Sequence, residues 1–152
     1  MSDWFRSPTP LIIAHRGASV DAPENTLTAF TLALEQGAQG IELDVQLSAD
    51  GHPIVIHDNT VDRTTNGRGR VSDLTLSQIN ELLIDDEHKV PTLNRVFDAL
   101  GAKLLYNIEL KTTIFSSPEL ISAVSALILE HNLQDKVLIS SFDPLSLRQV
   151  RK

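Results

Sequence analysis

Hydrophobic and polar positions follow two different rhythms along the chain. Leu11-Ile12-Ile13-Ala14 is a short apolar run that stops at His15-Arg16-Gly17, which predicts a buried strand ending in a polar loop. Pro23-Glu24 then opens a helix whose apolar positions Leu27, Phe30 and Leu34 are spaced i, i+3, i+7, with Gly37 placed to terminate it. From Gly40 to Leu47 the period drops to two: Ile41, Leu43, Val45 and Leu47 alternate with Glu42, Asp44 and Gln46, the pattern of a strand. After a turn at Asp50-Gly51, Pro53 to Ile56 reads as the next strand and ends at His57-Asp58.

Residues 59–70 are rich in Asn, Thr, Arg and Gly and read as a loop. Thr75 to Ile84 and Thr92 to Leu100 have helical spacing, and Leu104 to Leu110 is a fourth strand with Glu109 near its end. Ser117-Pro118-Glu119 starts a helix with the apolar stripe Leu120, Ile121, Val124, Leu127 and Ile128. Val137 to Ile139 is a fifth strand stopping at Ser140-Ser141, and Asp143-Pro144 begins a last helix that runs to Lys152. Strands alternating with helices predict an α/β fold with a parallel sheet. One connection, Asp44 to Pro53, is too short for a crossover helix. Either the chain returns extended, or these strands form a hairpin; one centred between Asp50 and Gly51 would pair position 44 with position 57.

Composition narrows the function. The chain has 152 residues, 13 Lys+Arg against 20 Asp+Glu, a formal charge of -7, 41% hydrophobic residues and no cysteine. These values suit an ordinary globular protein and exclude disulfides and thiolate metal sites. The net charge argues against nucleic acid as a partner, so an anionic substrate has to be met locally by a metal or a few placed cations. The apolar run after Met1 to Pro10 is too brief for a signal-peptide core, and no segment approaches membrane-spanning length. The expectation is a cytoplasmic protein with no stable membrane anchor.

The strands end in chemistry-bearing residues: His15-Arg16, Glu42 with Asp44, His57-Asp58, Glu109 with Lys111, and Ser140-Ser141. In parallel α/β folds the carboxyl ends of the strands form the ligand site. Glu42 and Asp44 share one strand face, which is either a solvated face or, in a sheet covered on both sides, a pair of buried carboxylates needing a cation. With Glu109 they offer oxygen ligands suited to Mg²⁺ or Ca²⁺. His15 and His57 could act as general base and general acid. Arg16 and Lys111 could hold phosphate oxygens, or could form salt bridges to the same carboxylates. Asn25 could orient the site from the first loop, or serve locally near the helix start. Arg63, Arg68 and Arg70 read as solvated surface arginines, with a substrate-facing lid as the alternative. His52, His88 and His131 read as exposed or structural.

Taken in order, His15-Arg16-Gly17, Pro23-Glu24-Asn25-Thr26, Glu42-Leu43-Asp44-Val45, Asp50-Gly51, His57-Asp58, Arg63-Thr64, Gly67 and Asn107-Ile108-Glu109-Leu110-Lys111 resemble the glycerophosphodiester phosphodiesterase family. Ser140-Ser141-Phe142-Asp143 is similar to the family's fifth-strand ending. The resemblance implies a TIM (β/α)8-type barrel that hydrolyses small glycerophosphodiesters to sn-glycerol 3-phosphate and an alcohol with a divalent cation. By motif position it implies His15 and His57 as the acid/base pair, Glu42, Asp44 and Glu109 as metal ligands, and Arg16 and Lys111 as phosphate contacts. Asn25 joins the substrate-binding set. A full barrel takes about 250 residues, so residues 1–152 are expected to be the N-terminal portion of one such domain, an incomplete barrel of about five strands. Two classes of function follow. One is a phosphodiesterase; the other is a catalytically silent fragment that binds metal or phosphodiester, or self-associates through its open sheet edge.

Overall fold

A computed structural model describes residues 2–5, 7–111 and 117–151; Lys152, where the last helix was expected to end, lies outside them. The elements in chain order are β1 (Ile13–His15), α1 (Leu27–Glu35), β2 (Gly40–Leu47), β3 (Pro53–Val55), α2 (Leu76–Asn80), α3 (Leu93–Leu100), β4 (Leu105–Leu110), α4 (Pro118–Glu130), β5 (Val137–Ser140) and α5 (Pro144–Val150). The five strands form one sheet in the order β1-β2-β4-β5, all parallel, with β3 antiparallel to β2. Val45 pairs with Leu110 on one edge of β2 and with Val55 on the other. Thus β3 continues the edge that β1 leaves after His15 meets Glu42.

The short connection is therefore a hairpin, and its register differs by one residue from a turn centred between Asp50 and Gly51. Val45 lies opposite Val55 and Leu47 opposite Pro53, so Asp44 faces Ile56, whose N–H donates to the Asp44 carbonyl. The reason lies in the loop, which has three residues rather than two. Ser48 and His52 close it, the Ser48 hydroxyl accepts from the His52 N–H, and Gly51 takes the left-handed conformation (φ +82°) that such a loop requires. His57 consequently lies beyond the ladder, in a turn.

Two helices are shorter than their patterns predict. Asn25 has φ +58°, which no helix accommodates, so α1 waits until Thr26, whose side chain accepts from the Ala29 N–H. α2 begins at a capping box between Thr75 and Gln78 but ends early, because the Leu83 N–H and carbonyl are both captured by Asn66.

The apolar half of the β2 alternation, Ile41, Leu43 and Val45, packs with Phe30, Phe97, Tyr106, Ile108 and Leu120 into the main core between sheet and helices. A second, smaller core, including Ile54, Ile56, Val61, Val71 and Ile79, sits under the excursion between β3 and α3. Glu42, Asp44 and Gln46, on the other face of β2, are all buried. The solvated strand face is not what forms. Among the described residues no helix is long and apolar enough to cross a membrane.

Candidate active site

Strand register builds the acidic cluster. β2 and β4 run parallel with Asp44 beside Glu109, and Glu42 projects from the same face of β2 as Asp44. Carboxylate oxygens of Glu42, Asp44 and Glu109 all lie within 4.8 Å of one another. Burial, followed by repulsion from Asp44, pushes the Glu42 carboxyl up to about 7. Its Oε1 is buried with no hydrogen-bond partner. An unsatisfied buried oxygen among converging carboxylates fits a hard divalent cation, and the donors are all oxygen.

Two side-chain cations approach the cluster. Lys111 Nζ donates to Glu109 Oε1 at 2.9 Å and lies 3.5 Å from Asp44 Oδ1. Arg16 places Nε 3.3 Å from Asp44 Oδ2, a close ion pair without hydrogen-bond alignment, and Nη1 donates to Glu24 Oε1 at 3.1 Å. The salt bridges weighed against phosphate binding from sequence thus exist in this state of the site. Asn25, buried, donates from Nδ2 to Asp44 Oδ2 at 2.9 Å. Arg16 and Asn25 both have φ +58°. Left-handed backbone at non-glycine residues is costly, and here both instances orient side chains toward one carboxylate. Gly17 (φ +84°) completes the turn after β1, and a Cβ there would lie 2.7 Å from the Ala29 carbonyl carbon. The motif's glycine is needed both for its conformation and for the close approach of α1.

The histidines stand differently: His15 borders the cluster, and His57 is linked to it through a chain of hydrogen bonds and ion pairs. His15, its side chain 69% exposed, ends β1 with Nε2 3.8 Å from Glu42 Oε2. His57 Nδ1 is 2.7 Å from Asp58 Oδ1. Asp58 is in turn gripped by Arg63 through Nε at 2.6 Å and Nη2 at 3.2 Å, and the same guanidinium binds Glu24 at 2.7 and 3.2 Å. These bonds hold the Asp58 carboxyl down at about 2, chiefly through Arg63, and lower Glu24 for the same reason. A strap therefore runs from His57 through Asp58, Arg63 and Glu24 to Arg16. Arg63 is thus not a free surface arginine. Its role is invisible to periodicity, and the only sequence signal is that Glu24, Asp58 and Arg63 all stand in the motif series. Gln46, read only as a polar strand position, binds the backbone of the His57 turn.

The remaining candidates bond to other groups, although Ser140 stands beside Glu109 in the β4–β5 ladder. Ser140 and Ser141 tie β5 to β4 by donating to Asn107 Oδ1 and the Leu110 carbonyl. His131 caps α4 and bonds Asn94. His52 sits beside Asp50 in the hairpin loop.

Comparison with known proteins agrees with this geometry. A glycerophosphodiester phosphodiesterase of Caldanaerobacter subterraneus is 49% identical over 150 residues, covering 93% of this chain and 62% of that protein. Human glycerophosphodiester phosphodiesterase 1 is 40% identical over 151 residues, covering 92% of this chain and 45% of its own length. The crystal structure of glycerophosphodiester phosphodiesterase from Agrobacterium tumefaciens superposes with a TM-score of 0.84 at 37% identity, over 94% of this chain and 62% of that one. An Oleispira antarctica phosphodiesterase in complex with the product sn-glycerol-3-phosphate superposes at 0.87 with 34% identity, over 93% of this chain and 61% of that one. The chain thus spans about three-fifths or less of the length of these relatives. The profile of the glycerophosphoryl diester phosphodiesterase family matches residues 15–152, and this chain, an α/β fold with an incomplete barrel sheet, belongs to that family.

Proposed function

We propose that this chain forms the N-terminal part of a cation-dependent hydrolase that cleaves small glycerophosphodiesters to sn-glycerol 3-phosphate and an alcohol. The observation that carries the reading is the convergence of Glu42, Asp44 and Glu109 within 4.8 Å where β2 and β4 run side by side, flanked by Arg16 and Lys111. The bound product of the Oleispira antarctica relative supports the substrate class.

In this reading Glu42, Asp44 and Glu109 hold Mg²⁺ or Ca²⁺. When bound, the cation supplies Lewis-acid polarisation of a phosphoryl oxygen and charge for the acidic site. Arg16 and Lys111 exchange part of their carboxylate contacts for phosphate oxygens and offset negative charge developing on those oxygens. Asn25 serves the substrate side by fixing Asp44. His15 and His57 share the proton transfers, one taking the proton of the attacking hydroxyl and the other returning one to the leaving alcohol oxygen. The Asp58 contact at Nδ1 leaves the His57 Nε2 as the nitrogen for that exchange.

The test is release of glycerol 3-phosphate from glycerophosphocholine by the purified, folded chain with Mg²⁺ or Ca²⁺. Turnover that a chelator abolishes and either cation restores supports the reading; none above background overturns it for this chain. A second reading, a silent fragment that binds cation or phosphodiester or self-associates, rests on exposed apolar side chains: Phe142 at 91%, Ile12 at 65% and Leu138 at 39%. Size-exclusion chromatography with light scattering separates a monomer from a dimer formed through the edges of β1 and β5.

A further inference from the structure

We propose that Gln46 is a positioning residue that fastens the His57 turn to the strand bearing the carboxylate cluster. Gln46 follows Asp44 by two residues on β2, on the face shared with Glu42, and is only 7% exposed. Its Nε2 donates toward the carbonyl oxygens of Ile56 at 2.9 Å, His57 at 3.1 Å and Asp58 at 2.7 Å. Three carbonyls facing one end of the amide fix its orientation, because the amide oxygen in that place would meet only acceptors. Two N–H groups serve three oxygens, so at least one hydrogen is shared.

The need for such a device follows from the hairpin register. β3 ends at Val55, and the last ladder bond, Ile56 N–H to the Asp44 carbonyl, leaves His57 outside the sheet. A histidine on an untethered turn would drift relative to carboxylates held by a parallel ladder. Gln46 removes that freedom from inside the fold, while Arg63 binds Asp58 from outside. An apolar residue of the same size would fill the space and would leave the three carbonyls with no donor at this point, so the requirement is for hydrogen-bond donation rather than volume.

The kinetic consequence rests on the hydrolase reading; the structural consequence does not. Gln46→Met keeps the volume and removes the donors. In its imidazole nitrogen spectrum the His57 signals should broaden or split while those of His131, bonded to Asn94, stay in place. With glycerophosphocholine and Ca²⁺, kcat should fall about 10- to 100-fold, since displacement of about 1 Å has costs of that order, with KM and Ca²⁺ affinity within about twofold. In the unaltered chain the Gln46 side-chain amide protons should exchange with solvent slowly. Unchanged His57 signals or unchanged kcat in Gln46→Met, or fast exchange of those protons, would overturn the proposal. If the unaltered chain shows no turnover, the hydrolase reading fails, and the imidazole and amide-proton measurements still decide the role of Gln46. If Gln46→Met does not fold, the amide-proton exchange decides it.

Discussion

Two groups of carboxylates meet at the end of the sheet and are treated in opposite ways. Glu42, Asp44 and Glu109 stand on strands, are crowded together, and leave Glu42 with a carboxyl pushed up to about 7 and a buried oxygen without a partner. Asp58 and Glu24 stand on loops, are bridged by Arg63 between them, and are held low, Asp58 at about 2. Residue type is the same in both groups, so charge balance marks the difference in task. The strand group sets three carboxylates against Arg16 and Lys111, neither of which satisfies Glu42 Oε1, and has room for further positive charge; the loop group is matched by Arg63 and braces the turn bearing His57.

The strongest way to break this comparison is to remove the two histidines proposed for proton transfer while leaving the cluster intact. His15→Ala and His57→Ala should each lower turnover of glycerophosphocholine by about 10² to 10⁴. Cation affinity measured by calorimetry should be nearly unchanged for His57→Ala, since its contacts are in the loop group. Equal loss of both properties would show that the two groups are not separable. Next in size, Asp44→Asn removes the carboxylate that Asn25, Arg16 and Lys111 all address. Calorimetric affinity for Ca²⁺ should weaken at least about 100-fold, beyond the range seen when only an outer partner of a ligand is lost.

A pH titration sharpens the contrast. Glu42 titrates near 7 in the fold against 4.5 ordinarily. The stability tied to it is fully present below 4.5 and is lost as pH rises through 7. Asp58 titrates near 2 against 3.8, so its contribution is present above 3.8 and is lost as pH falls through 2. Chelated protein should therefore lose on the order of 2 to 3 kcal/mol between pH 5 and pH 8, seen as a fall in Tm of several degrees. Saturating Ca²⁺ should flatten that slope, and an equally steep slope with Ca²⁺ would contradict a cation at Glu42. The smallest effect belongs to Arg63→Ala. Half-exposed ion pairs stabilise little, so unfolding free energy in urea should drop by about 1 kcal/mol or less. The loss should instead appear as altered His57 imidazole signals, as Asp58 is released from the guanidinium.

How much of this was legible beforehand depends on range along the chain. The period-two stretch from Gly40 to Leu47 named β2 to the residue, because strict alternation is a local signal. Ser117 and Asp143 marked true helix starts, each capping backbone N–H groups. His15 and Glu109 do stand at or next to strand ends, whereas Asp44 lies inside β2 and His57 beyond β3. By contrast, the left-handed backbone of Asn25, which delays the start of α1 to Thr26, has no periodic signature. The early end of α2 depends on Asn66, and the strap depends on a contact between Glu24 and Arg63, 39 positions apart. The hairpin register turned on whether the Asp50-Gly51 loop holds two residues or three, a difference that local propensity does not resolve.

The sequence by itself determined the alternation of strands and helices, the motif order that marks the family, and the identity of the candidate acid, base and ligand residues. Each of these is written in residue type and short spacing. Only the tertiary structure decided that the polar face of β2 is buried, that Asp44 stands beside Glu109, and that Gln46 and Arg63 together hold the His57 turn. Those outcomes depend on strand register and on the direction in which loops return to the sheet. Both are set by packing summed over the whole fold, which no short window of sequence contains.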